Sequence, residues 1–519
     1  MAFNRKVIRL TLTLNDKEES FTSDNKNKLE AIGLRISAEI NFGNGMPAPS
    51  ARLRVYGLPA ETMNKLLRQK YRDAKTLRDN IMVEAGEQGE DLITVFKGGI
   101  TEAYPDYAEA PNVSLVIVAQ TAVLEAMTPS DAESYEGTQD VINIMGNVCK
   151  RIGYTLEDNG VKQSLENVYL CNTDISKIKW LAEAAYLDLF IEPGNIAVTH
   201  KGQPRKLKIP VISPDSGLIS YPVPTSVGVQ FQCFYDPIIR FGGLVRIKGS
   251  IVDRCNGDWI PTVSASCWKL KQKLVVGLWM YQHIREGRMK SQSNDNIKLP
   301  FWPQDLAGGV RSQEMIISNL IGKIGTVTVC KIVKVKGGGT GAVGMVDILP
   351  MVLQMDAGGN IYDNAVIYNV PYFRYQGGVN AVIIDPKPGD IGICLVCTRD
   401  ISRVKRTKRA AAPDSYRKFD WSDSLYIGGI LNGAPSQYIH FLDSGINVVS
   451  TGVITMKGTE IVLDAPVRTT ATVMVAQDIT DNTASGNNQT MASMRVTYNG
   501  HTHHENGQGS NTNEPNQQV

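Results

Sequence analysis

Beyond Trp421 the apolar residues fall into one repeating alternation. Ile446 and Val448, Ile454 and Met456, Ile461 and Leu463, then Val467, Val473 and Val475 are spaced by Gly, Thr and Ser, with no helical segment expected among them. Successive side chains of a strand point to opposite faces, so such a stretch carries one apolar face and two open edges. A single chain of these strands has nothing to lay against that face. Winding three copies into a shared prism buries the face and closes the edges, so the pattern predicts an intertwined trimer.

The 519 residues exceed the size at which a single core stops growing, and about three to five domains are expected. Positive and negative side chains nearly cancel at a formal net charge of +2, so no global field draws the chain to nucleic acid or an anionic membrane. No run approaches the roughly 18 apolar residues of a membrane span, and the first ten residues alternate instead of forming a signal-peptide block; cytosolic assembly is expected. The eight cysteines are thinly spread and do not form a disulfide framework.

Residues 6–14, 34–40 and 51–56 alternate as strands, and Pro59 opens a helix over 60–67 carrying Met63, Leu66 and Leu67. Residues 83–85, 93–96 and 113–118 return to strand. From about Thr138 the period becomes 3.6. Val141, Ile142, Met145, Val148, Cys149 and Ile152 share one helix face, and Thr173 or Asp174 caps a second helix with Ile175, Ile178, Leu181 and Ala185. Residues 195–212 and 227–251 are again strand-rich. A polar, proline-containing stretch marks a linker near 290–311, and Ser312 caps a short helix. Five strands at 325–335, 344–349, 365–369, 379–385 and 390–397 make the count of a small OB-type barrel.

Several motifs invite a chemical reading. Gly339-Thr340-Gly341-Ala342-Val343-Gly344 matches the dinucleotide fingerprint but is followed by a strand pattern ending in Pro350, so it reads as a hairpin loop. Cys394 and Cys397 have C-x-x-C spacing within a strand, which turns them to opposite faces; they read as structural, not redox or zinc ligands. No G-x-S-x-G elbow or H-E-x-x-H is present. The lone histidines His200, His283 and His440 read as structural, and the scattered carboxylates single out no glycosidase pair. Arg403-Val404-Lys405-Arg406-Thr407-Lys408-Arg409 is the densest basic run, either a solvated connector or a contact for a phosphate-rich surface.

Three of the six histidines cluster in Gly500-His501-Thr502-His503-His504 near the C-terminus. On a strand His501 and His503 project together. Three copies on a threefold axis would offer six imidazoles, which suits an octahedral first-row transition metal. The alternative is a tag or a disordered polar end.

The stretch from Tyr368 through Pro371-Tyr372-Phe373-Arg374-Tyr375-Gln376-Gly377-Gly378 to Ala381, then Asp385-Pro386-Lys387-Pro388-Gly389-Asp390 and Arg399-Asp400-Ile401-Ser402, resembles the OB region of central spike proteins of contractile phage tails. Gly500-His501-Thr502-His503 resembles their apex, which implies one iron ion per trimer, held by His501 and His503 of three chains, with His504 outside the set. More weakly, the first 300 residues resemble the baseplate hub.

This resemblance implies a mainly β chain: hub β domains at 1–118 and 196–300 around an α/β segment at 119–195, an OB-fold at 301–415, a trimeric β-helix at 416–490 and a metal-binding apex at 491–519. It implies a virion protein, assembled in the host cytoplasm, that contacts the tail tube and other baseplate proteins and meets the host outer membrane, with no catalytic residue and no small-molecule substrate. Some relatives carry a lysozyme domain between barrel and prism, for which residues 400–421 leave no room. The rivals are a cell-envelope hydrolase with a site in the α/β segment, and the equivalent spike of a bacterial secretion or bacteriocin particle.

Overall fold

The structure is a computed structural model describing residues 6–14, 28–32, 34–42, 48–67, 79–225, 228–269, 275–282, 324–355, 360–480, 483–486, 489–504, 507 and 509–518. The linker expected at 290–311, the helix expected after Ser312, and His283 lie outside them. The chain divides into two compact units, residues 1–432 and 433–519.

In the first unit, alternation makes the strands. Along Ile36–Phe42 the side chains of Ile36, Ala38 and Ile40 are buried while Glu39 is exposed, and along Ser50–Tyr56 Ala51, Leu53 and Val55 are buried while Arg52 is exposed. Lys6–Thr13, Lys28–Ile32, Asn80–Glu87, Ile93–Asp106 and Ser114–Gln120 complete the N-terminal sheet, and the helix Ala60–Lys65 starts behind Pro59 and buries Met63.

The two hub β regions, read from sequence as separate domains, share one 13-stranded sheet. The bridge between them is Gly257–Lys269. Its first part pairs with Val275–Gln282 and Val245–Ile247; its second part runs antiparallel to Ile36–Phe42, from Ser264 opposite Phe42 to Lys269 opposite Ser37. At 13 residues this strand exceeds the usual strand length, and its unpaired remainder takes up the free edge of the N-terminal sheet. One core follows: Leu10, Leu53, Phe96 and Ile117 belong to the same buried cluster as Phe231, Val245 and Trp259.

The α/β segment has its own core beneath two helices. Val141–Arg151 is capped by Asp140, which accepts the Asn143 N–H at 3.1 Å, and Asp174–Ala184 is capped by Thr173, which accepts the Ser176 N–H at 3.2 Å. The strand Asn195–His200, which the sequence reading gave to the second hub region, belongs here instead: it pairs antiparallel with Leu187–Glu192 and parallel with Thr155–Asp158. The Gly194 turn closes that hairpin, so a boundary at 195/196 would cut through it.

The third part of this unit is a five-stranded antiparallel sheet in the order Ile367–Pro371, Met345–Pro350, Val327–Lys336, Ile391–Val396, Ser424–Gly428. Its two edges meet through a parallel bridge between Tyr372 and Tyr426, with the Phe373 N–H donating to the Tyr426 carbonyl at 2.8 Å. The fifth strand is therefore Ser424–Gly428, and not residues 379–385. Tyr375–Gly377 and Asn380–Val382 form an outlying exposed hairpin in which Val379 is 98% exposed. Tyr426 can lie inside because strand residue 392 is glycine: a Cβ there would stand 2.4 Å from the Ile427 carbonyl oxygen and 2.7 Å from the Tyr426 ring. Asn432 accepts the Ile391 N–H at 2.8 Å, so the sheet extends beyond the 415/416 boundary read from sequence.

In the second unit a hairpin, Tyr438–Leu442 with Gly445–Val449, is followed by residues 450–479 without regular strands. The alternating side chains there are exposed, Val453 and Met474 each at 91%. The expectation that no helix lies beyond Trp421 fails at Met491–Gly500. Thr490 accepts the Ser493 N–H at 3.1 Å and the Ser493 hydroxyl accepts the Thr490 N–H at 2.9 Å, a reciprocal cap that starts the helix.

Candidate functional site

The glycine-rich Gly337–Gly344 segment is a hairpin loop joining Val327–Lys336 to Met345–Pro350 and offers no helix to a pyrophosphate. Asp385 holds it by accepting the Gly339 N–H at 2.5 Å. Cys394 is buried inside the small sheet near Cys330, and Cys397 lies past the strand end, half-buried, so the C-x-x-C pair does not converge. His200 ends its strand opposite Leu187, and His440 is exposed on the C-terminal hairpin beside Tyr438.

The basic run forms the short helix Ser402–Thr407 and spends part of its charge within the chain. Arg406 pairs with Asp414 at 2.6 Å and Glu166 at 3.0 Å. Burial lowers the pKa of Lys405, whose ammonium lies 3.4 Å from the Asn369 carbonyl.

Behind it sits a buried charge cluster that the sequence reading missed. Arg417 donates to the Glu166 carbonyl at 2.7 Å, and to the Ser402 hydroxyl and Asp423 at 3.1 Å each, with Asp400 at 3.2 Å. The carboxylates respond differently. Burial opposes the charge of Asp400, yet Arg417 and the Ser415 hydroxyl hold its pKa down at about 2. Burial pushes Asp423 up to about 7 against the pull of Arg417, and raises Asp420 as well. Because Glu166 lies on Ser164–Leu170 of the α/β segment, the cluster fastens the small sheet to that segment. Tyr416 stacks on Tyr186 at 4.3 Å, and its N–H donates to the Ala184 carbonyl.

At the C-terminus the structure does bring His501 and His503 together. Their ring centroids are 5.1 Å apart, edge to face. His501 is the C-cap of Met491–Gly500 and has extended backbone, φ −74° and ψ 141°. Its Nδ1 lies 2.5 Å from the Tyr498 carbonyl, which can only accept, so Nδ1 is the donor, and in the neutral ring that tautomer leaves the lone pair on Nε2. His503 is held by its backbone: its N–H donates to Thr512 Oγ1 and its carbonyl accepts the Thr512 N–H, both at 2.8 Å. His504 forms an antiparallel bridge with Asn511. Neither Tyr498 nor Thr512 announces itself in sequence, since each acts through backbone groups or a common hydroxyl.

Imidazole nitrogen is a donor type a first-row transition metal takes, and so the pair fits such an ion in part. Among the described residues, no group of three or more His, Cys, Asp or Glu side chains within the chain is placed to hold a metal. A complete ligand shell would need donors beyond this pair.

Residues 7–265, about half the chain, match the family model of the baseplate hub gp41, and through them the chain belongs to that baseplate hub family. Solved structures similar to it include the 43 kDa tail protein of prophage MuSo2 from Shewanella oneidensis, at 10% identity over 53% of this chain and 97% of that one, TM-score 0.36. The E. coli c3393 protein, a component of the type VI secretion system, is similar at 9% identity over 76% of this chain and 96% of that one, TM-score 0.42. The Francisella PdpA-VgrG complex is similar at 9% identity over 84% of this chain and 73% of that one, TM-score 0.41. No curated protein matches the chain.

Proposed function

We propose that this chain is the hub and central spike of a contractile tail in one polypeptide, working as a homotrimer. The hub sheet closes the tail tube and contacts other baseplate proteins, the closed five-stranded sheet is an OB-type collar, and residues beyond Asn432 wind into a β-prism. His501 and His503 of three chains hold one structural iron at the tip. The work is mechanical: sheath contraction drives the tip through the host outer membrane, which requires stiffness and a point instead of a turnover site. The protein is then a virion component with no small-molecule substrate.

One observation carries this reading. Among the described residues, no hydrophobic side chain beyond Tyr426 is buried, although the stretch is patterned to bury a face. Such a stretch gains its hydrophobic stabilisation only against other chains, so folding and association are coupled. Sedimentation equilibrium of the full chain tests it. A trimer that does not dissociate on dilution is expected, and a monomer at micromolar concentration contradicts the reading.

A further inference from the structure

The polar segment after the histidine pair has no apolar face with which to order itself, yet it returns on His503 and grips it twice. The Thr512 N–H donates to the His503 carbonyl, and Thr512 Oγ1 accepts the His503 N–H, both at 2.8 Å. The bridge between His504 and Asn511 extends this contact by one register step. On the other side of the pair, the Tyr498 carbonyl holds His501 Nδ1 at 2.5 Å.

We propose that the C-terminal segment is a clip that sets the apex imidazoles before a metal arrives, with Thr512 the positioning residue for His503 and the Tyr498 carbonyl the positioning group for His501. Both contacts are made within one chain and leave both Nε2 atoms out, so neither needs the ion in order to form. The His501 contact fixes the tautomer that presents Nε2, and the Thr512 contacts fix the backbone on either side of His503, so less freedom remains to be lost on ligation. The clip deepens the iron-apex reading above and rests on it for its purpose, but not for its geometry.

The test uses the full-length chain as wild type, Thr512→Val, Thr512→Ser and the His501→Ala/His503→Ala pair, each stripped of metal and then offered Fe(II) alone. Two quantities are read: hydrogen exchange at the His503 amide in metal-free protein, and the rate of iron release to a chelator. Thr512→Val removes the acceptor of the His503 N–H while keeping the size of the side chain. It should expose that amide to exchange and speed iron release on the order of tenfold, the scale of a lost outer-shell contact. Thr512→Ser should restore both. A Thr512→Val variant that matches wild type in exchange and release overturns the clip. If the wild type takes up no iron but its His503 amide is protected in a Thr512-dependent way, the clip stands and the iron reading fails. If iron binds and depends on the histidines while the amide is unprotected, the iron reading stands and the clip falls.

Discussion

Arg417 faces three buried carboxylates, and the sharing of one guanidinium among them makes the junction between the small sheet and the α/β segment sensitive to substitution and pH. Arg417→Met should destabilise the protein by about 3–5 kcal/mol in denaturant unfolding, because it leaves buried carboxylates without a partner. That loss should shrink as pH falls, since a protonated carboxyl tolerates burial. Asp423 gives the sign of the native dependence. Its folded pKa, about 7, lies above the ordinary 3.8, so its contribution is fully present below about pH 4 and is lost as pH rises through 7. Asp400, held near 2, acts oppositely and loses its contribution as pH falls from about 4 toward 2. Asp423→Asn should therefore flatten the thermal midpoint between pH 4 and 7; an unchanged slope would assign the dependence elsewhere. None of this cluster was legible in the sequence, where Asp400 and Arg417 are ordinary charges in a connector. Arg417 also reaches the Glu166 carbonyl, 251 positions away, a contact that no local pattern announces. The histidine pair was legible because two residues apart on extended backbone is a local relation. The Thr512 pin is set by a chain reversal that leaves no apolar mark.

At the level of elements, sequence periodicity located the N-terminal strands and both helices of the α/β segment because each buries one face against a core. It failed where two segments compete for the same edge. Residues 379–385 carry as much β-type composition as Ser424–Gly428, but only the latter brings a tyrosine over the bare Cα of Gly392. Gly392→Ala should accordingly weaken the small sheet by about 1–3 kcal/mol, the usual cost of overpacking, measured as a lowered denaturant midpoint. The fusion of both hub regions into one sheet was equally hidden, since Gly257–Lys269 lies outside the strand-rich stretches read at 195–212 and 227–251, and a strand pattern does not show which edges it joins. The helix Met491–Gly500 escaped because its cap uses Thr490 and Ser493, without the glutamate or glutamine that usually marks a capping box. Thr490→Ala should lower its stability by about 1 kcal/mol, visible as faster amide exchange over Met491–Met494.

For the whole molecule, one chain provides a hub sheet, a closed small sheet and a strand-patterned stretch that, among the described residues, buries no hydrophobic side chain. The mechanical reading expects purified protein to leave peptidoglycan intact in a turbidity assay. Clearing that a point change within residues 119–195 abolishes would favour the envelope-hydrolase rival instead. The most direct test is native mass spectrometry of the full-length protein purified without chelator. The account predicts three chains carrying one iron, and three chains without metal in the His501→Ala/His503→Ala variant. A single chain, or one metal for every chain, would contradict it.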